Sequence, residues 1–536
     1  MTSPVDAVAN ADDAAPTSTG LAADGAGNGH ESLLFGLRLA IVAVILSGVV
    51  PLALVAEVPD TGRSAAWPIT LVIAIWSGLR LSALIADGRP RLFDFFFWMF
   101  CYLFMGIAPT VQIRSNLIAT TTPDIDPGFD LPVALFAALG IACYEIGRVV
   151  AIALERRRGP EAELAPVGVS PARVGLLVTF AVLFSAYFIV SVGLGPLLES
   201  REAAGAAREA RWADSSVRGI VYSLAIYPLV VAVGGLVQVR ALARKHRFIL
   251  LAVILVAAGV LLVVVNPLGT ARYNFATVLF ALAVYAGATA TRFRTRITMI
   301  AALAGLIFLF PIADAFRRST EGNFTRAGFF DEYAGNGDYD AFWQIANSYS
   351  FILSGLMEPG RQLLGSLLFW LPRSIWADKP NDTGVVLAQF RGYNFENLSA
   401  PLWAEFLING GIPALIIGFL IVGYALRRMD SRLLPAFSQT GLWAVVGAIF
   451  PVYMTILLRG SLLQATGYVA VAVASLLFIR ARRAKVSGGT NPPPNTSPQG
   501  IAPPQPSTSA PASPRPPRFP SNGSWWDPRS RRRSRR

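Results

Sequence analysis

The chain reads as an all-α polytopic membrane protein: a bundle of about 12 transmembrane helices with a large outer loop domain containing amphipathic and interfacial helices. Three observations predict this. Hydrophobic residues make up 54% of the 536 and charged residues only 15%, with a mean hydropathy of +0.51, a balance that soluble domains rarely have. A dozen apolar runs are each long enough, at about 20 residues, to cross roughly 30 Å of hydrocarbon. When those runs alternate across a membrane, the basic residues of the short loops fall on one side, as positive-inside topology requires.

Residues 1–32 are rich in Ala, Asp, Gly and Ser and lack a basic stretch followed by an apolar core. They are expected to be a disordered cytoplasmic tail and not a signal peptide. Spans are predicted at 39–57, 67–86, 92–112, 131–154, 172–194, 218–238, 248–266, 273–291 and 297–315, which places transmembrane helices 1–9 within residues 33–315. Residues 316–401 form the large extracytoplasmic loop. Three more runs, 402–426, 435–456 and 461–479, place helices 10–12 within 402–483. The remainder, 484–536, is Pro- and Ser-rich and ends in SRRRSRR, so a disordered basic cytoplasmic tail is expected. Arg89 and Arg91, Arg156 to Arg158, Arg292 to Arg296, Arg427 and Arg428, and Arg480 to Arg483 fix the cytoplasmic side, with both termini in. The expected location is a bacterial inner (cytoplasmic) membrane.

The net charge of +13 belongs to this topology and does not indicate nucleic acid. Cys101 and Cys143 lie in apolar runs, so no disulfide framework is expected. His30 and His246 fall on the cytoplasmic side, which argues against a metal site or histidine catalysis outside; neither metal nor cofactor is expected.

Several arginines break the positive-inside pattern. Arg201, Arg208, Arg211 and Arg218 follow the fifth run, among Glu199, Glu202, Glu209 and Asp214 at helical spacing, and read as ion pairs along a helix. Arg272, Arg317, Arg318 and Arg373 are isolated at the outer edge, where guanidinium groups are suited to gripping a phosphate. Phe342, Ile345, Tyr349, Ile352 and Leu356 recur at three and four, predicting an amphipathic helix on the outer leaflet or against the bundle. Leu363 to Leu371 is apolar but too short to cross, and Trp370, Trp376 and Trp403 are expected to mark the water interface.

The loop carries two runs that stand out, PRSIWADKP (Pro372, Arg373, Trp376, Lys379, Pro380), with Gly384 shortly after, and SAPLWAEFLINGG (Ser399, Pro401, Glu405, Gly410, Gly411). Lys379 is the one outward lysine of three. This pattern, in a dominant late outer loop, resembles the O-antigen polymerase (Wzy-type oligosaccharide repeat-unit polymerase) family. The resemblance implies a membrane glycosyltransferase that passes a growing glycan from an undecaprenyl-pyrophosphate carrier to the next carrier-linked repeat unit, building cell-surface polysaccharide. The implied partners are those lipid-linked glycans and membrane lipid, together with a flippase and a chain-length regulator; nucleic acid is not among them. Arg373 and Glu405 become the catalytic candidates, Glu405 as base. Arg272, Arg317, Arg318 and Lys379 become pyrophosphate ligands, and Pro372, Trp376, Pro380 and Gly384 shape the motif. Asp314, Asp378 and Glu396 are rival bases. Two other functions fit the same chain. A lipid-linked oligosaccharide flippase or carrier would string charges along a mid-membrane path, whereas Arg80, Asp94, Glu145 and Arg148 lie toward cytoplasmic ends, where snorkelling explains them. A glycan ligase would share the arginines and differ in its acceptor.

Overall fold

The run LFDFFFWMFCYLFMGIAPTVQI offers no polar face to water, and it becomes the axis of the fold. In the computed structural model every residue from Leu92 to Arg114 is buried. The structure describes residues 20–158, 167–309, 329–396, 398–436 and 441–481, and the basic tail 484–536 lies outside them. Among the described residues the chain is helical apart from loops and one isolated bridge between Val169 and Arg480.

Ten helices are long and apolar enough to span: α1 (Glu31–Glu57), α2 (Trp67–Asp87), α3 (Leu92–Ser115), α4 (Pro127–Arg157), α5 (Pro171–Val192), α7 (Val217–Leu242), α8 (Arg247–Val264), α14 (Leu402–Leu434), α15 (Leu442–Arg459) and α16 (Leu462–Ile479). Between them lie α6 (Arg201–Arg211), α9 (Arg272–Tyr285), α10 (Arg292–Ala304), α11 (Ala341–Leu353), α12 (Arg361–Leu367) and α13 (Thr383–Arg391).

Two of the twelve expected spans differ. Residues 273–291 give only the 14 residues of α9, about 21 Å at 1.5 Å per residue, because a Gly- and Thr-rich turn follows and Thr291 caps α10. α10 passes into a π-helical stretch, Gly305–Leu309, and 310–315 lie outside the described residues. The expected N-terminal tail also shortens: helix begins at Gly20, since an Ala-rich segment can propagate a helix already nucleated in the membrane.

The buried side chains form two large clusters. One gathers α1 to α4, α11 and much of α14; the other gathers α5, α7, α8, α9 and α16. α15 serves both, with Val452 and Leu458 in the first and Val445 and Tyr453 in the second. The loop covers one face. There Gln112 Nε2 donates to the Tyr333 carbonyl at 2.9 Å and Arg114 Nε to the Val58 carbonyl at 3.0 Å. The opposite face collects basic helix ends, with Arg427 on Glu155 at 2.8 Å and Arg296 Nη2 on the Ala86 carbonyl at 3.2 Å.

On that opposite face the expectation of snorkelling is corrected. Arg80 lies 3.7 Å from Asp94 and 3.5 Å from Glu145, and Arg148 pairs with Glu145 at 2.6 Å. Asp94 also accepts from Trp98 Nε1 and the Tyr144 hydroxyl, both at 2.9 Å. Asp94, the most enclosed of these charges, is held by partners, while Arg80 and Glu145 keep 23% and 22% of their side chains exposed.

α14 is two helices joined at a break. Gly410 and Gly411 leave helical geometry, and Gly411 has φ +63°, a left-handed conformation that glycine adopts without strain. The loop fastens to Asn409 beside the break: Gly360 N–H donates to its backbone carbonyl and Leu363 N–H to its side-chain Oδ1, each at 2.8 Å. Gly411→Ala should therefore cost about 1–3 kcal/mol, seen as a lower melting temperature of the detergent-purified protein. An unchanged melting temperature would contradict the strained backbone.

Of the two placements open to the amphipathic stripe, the structure takes the bundle: Phe342 and Ile345 of α11 are fully buried. Leu363 to Leu371 does not cross, and Leu363, Leu364, Leu367, Trp370 and Ile375 are all exposed, an apolar strip suited to lipid. Trp376 is half-buried. Trp403 is corrected outright, since it is fully buried among Phe97, Phe100 and Phe419 with Nε1 on the Ala137 carbonyl at 3.3 Å. It opens a helix that packs inside the bundle, so it never meets the interface.

Candidate functional site

Asp340, at the start of α11, is 2% exposed. Burying a carboxylate is costly unless it is surrounded by donors, and the fold supplies them. Ser399 Oγ donates at 2.7 Å, Thr121 Oγ1 at 3.1 Å and Gln344 Nε2 at 3.2 Å, and Arg459 Nη2 stands at 3.4 Å. Two residues earlier, Asp338 sits on a 3-10 turn, Gly337–Tyr339, capped by the Asn336 side chain. It accepts Arg272 Nη1 at 3.0 Å and faces Arg459 Nη2 at 3.8 Å.

Arg272 opens α9 and Arg459 closes α15, so the two guanidinium groups come from different helices and meet over one carboxylate. The site thus lies where the two buried clusters adjoin on the loop face, the kind of junction where ligand sites tend to form. Behind it the charges of Arg201, Arg208 and Arg459 act on Tyr273, and the Arg208 guanidinium lies 4.7 Å over the Tyr222 ring. Arg201 and Arg208 stand on α6 together with Glu202 and Glu209. Deeper between α7, α15 and α16, Tyr227 packs 5.7 Å from Tyr453 and 5.8 Å from Tyr468. Its hydroxyl meets Asn274 Oδ1 at 3.2 Å, while Asn274 Nδ2, the Tyr222 hydroxyl and Arg459 Nε are buried with no partner among the described residues. Two guanidinium groups whose carboxylate partners an anion can replace, over a tyrosine-lined floor, can hold an anion whose remainder is partly apolar.

No family model, curated protein or solved structure matches this chain. The functional reading therefore rests on geometry.

The residues singled out in the sequence divide accordingly. Arg272 stands in the cluster. Arg317, Arg318 and Asp314 lie outside the described residues. Arg373 is exposed and bonds within its own turn, to the Lys379 carbonyl at 2.8 Å and Asn381 Oδ1 at 2.6 Å. Lys379 Nζ donates to the carbonyls of Phe369 at 2.6 Å and Leu371 at 3.0 Å, and burial, then the Arg373 charge, lowers its pKa. Pro372 supplies the carbonyl for Ile375 and Trp376, and Pro380 packs on Gly365, where a Cβ would come within 2.5 Å of its ring. Gly384 donates to Asp382 Oδ1 at 3.0 Å, the cap of α13, and has no room for a Cβ against the Leu398 carbonyl. PRSIWADKP is thus a self-bonded turn. Arg373→Ala should loosen it, seen as faster limited proteolysis of the loop in the detergent-purified protein, and an unchanged cleavage rate would contradict the self-bonded turn.

Glu405 is fully buried and accepts the Leu462 N–H at 2.9 Å, at the first turn of α16. It joins α14 to α16, and its Oε2 is buried with no partner among the described residues. Asp378 and Glu396 are exposed elsewhere on the loop.

Sequence reasoning missed Arg459, Asp338 and Asp340. For Arg459 the signal was present: it lies in the short turn between the last two runs, on the same side as Arg272 and in breach of the same charge rule. The two aspartates carried none, because their partners lie far away in sequence.

Proposed function

We propose that the loop face is extracytoplasmic and that the chain is a metal-independent membrane glycosyltransferase, polymerising polyprenyl-pyrophosphate-linked repeat units into cell-surface polysaccharide. The observation that carries this reading is the convergence of Arg272 and Arg459 on Asp338. In the transfer, an acceptor sugar hydroxyl attacks the anomeric carbon of the donor glycan and the bond from that carbon to the pyrophosphate oxygen breaks. Negative charge grows on the departing lipid pyrophosphate, and preorganised guanidinium groups stabilise it more than they stabilise the bound substrate. Asp338 keeps the two arginines aligned. The acceptor proton is lost late, to the released pyrophosphate oxygens, so no buried carboxylate base is required and Glu405 is left to its structural bond.

Catalysis is favoured over transport because the charged groups within the helices pair with one another near the face opposite the loop and are not strung along a path. The test is the profile of lipid-linked and surface glycans in a strain depleted of this protein. Single repeat units stranded on the outer face support polymerisation. Units retained on the cytoplasmic face would make the chain a flippase, and full-length chains left unattached to their final acceptor would make it a ligase.

A further inference from the structure

Beneath the self-bonded turn lies a cleft of about 340 Å³, at the small end of the ~300–1,000 Å³ typical of ligand sites. Its apolar wall is made by Phe351, Leu356, Val386 and Ile408. On the other side stands Gln362, which is 8% exposed and whose Oε1 accepts no hydrogen bond from any described residue. An amide oxygen shut away from water without a donor is costly, so turning the Gln362 amide into the cleft, where a ligand hydroxyl can donate to it, would relieve that cost. Asn381 has Oδ1 taken by Arg373 at 2.6 Å, leaving its amide hydrogens for a ligand.

The charges of the cleft are already matched. Arg361 pairs with Glu358 and lies 3.9 Å from Asp378, and Lys379 is held by two backbone carbonyls. With two acidic and two basic side chains in its lining, the cleft has no dominant sign of charge to select an ion. A ligand that fits is uncharged, presents hydroxyls to amides and carboxylates, and lays an apolar face on aliphatic and aromatic carbon. A pyranose ring has those properties.

We propose that this cleft binds a neutral pyranose of a glycan, as a subsite separate from the arginine cluster. It deepens the glycosyltransferase reading, yet can be tested apart from it. The full chain in lipid nanodiscs is examined by saturation-transfer NMR with methyl mannoside, methyl galactoside and N-acetylglucosamine as probes and glucuronate as the charged control. At least one neutral sugar should be saturated more strongly than glucuronate. Gln362→Met should weaken its binding about tenfold, the value of one good hydrogen bond, with melting unchanged or raised because an unsatisfied acceptor has gone. Val386→Trp, which fills the cleft, should abolish binding, and Arg459→Ala should leave it intact. Displacement by a polyprenyl-linked glycan or by the same glycan without its carrier tells which source the cleft serves, and failure of both counts against it. No saturation by any neutral sugar, stronger saturation by glucuronate, or full affinity in both cleft variants overturns the proposal. Sugar binding by a protein that makes no polymer would support the cleft and overturn the polymerase reading, whereas an active polymerase indifferent to all these sugars would do the reverse.

Discussion

Arg459→Ala is expected to abolish polymer while the protein stays in the membrane at normal abundance. The guanidinium is one of two that meet over Asp338, at 3.8 Å against 3.0 Å for Arg272. Removing a single preorganised donor to a developing oxyanion costs about 10²–10³ in rate. Folding should survive, because the tie between this turn and the loop is made by backbone, the Ala400 N–H on the Arg459 carbonyl at 3.1 Å. Asp340 also keeps Ser399, Thr121 and Gln344 when the arginine is lost. Arg459→Lys should rescue poorly, since a point charge does not reproduce a planar fork. The same is expected for Arg272→Ala. Glycan gels beside an abundance blot decide it: normal chain length in either alanine variant removes the cluster from the mechanism.

Gly423→Leu should eliminate the folded protein. A Cβ at Gly423 would stand 2.0 Å from the Tyr144 carbonyl oxygen, and one at Gly147 would stand 2.1 Å from that of Leu420. α4 and α14 therefore touch backbone to backbone through reciprocal glycines, the small-residue packing that membrane helices use where lipid removes the hydrophobic incentive to associate. A leucine must push the helices apart, and separating them disturbs Tyr144, whose hydroxyl serves Asp94, and Trp403, which packs on Gly140. The cost should exceed the ~1–3 kcal/mol of ordinary overpacking, because backbone has nowhere to go. Size-exclusion profiles of a fluorescent fusion would report aggregation; a monodisperse peak with natural melting behaviour would show that the two helices do not meet.

The loop motif illustrates how far local sequence reaches. The stretch from Pro372 to Pro380 is legible as a rigid turn, since its bonds close within eleven positions, from the Phe369 carbonyl to Lys379 and from Arg373 to Asn381. Its role is not legible, because the same arginine could hold a phosphate or its own backbone, and only the fold says which. The second motif behaves differently. Ser399, Glu405 and Asn409 each bind a partner distant in sequence, Asp340, Leu462 and Gly360, so the contacts of this run, helix to helix at Glu405 and loop to helix at Asn409, cannot be read from its own spacing.

Sequence alone determined that this chain is a multi-pass helical membrane protein, because burial of about 20 consecutive apolar residues in hydrocarbon is a local property of each run. It also marked Arg272 as an arginine out of place. Which charges meet was decided only by tertiary structure. Arg272, Arg459 and the neighbouring pair Asp338 and Asp340 belong to three separate stretches, and nothing in the spacing of any one foretells the others. Their juxtaposition comes from α9, α11 and α15 ending together on one face, an outcome of helix packing that the hydropathy of single segments does not encode.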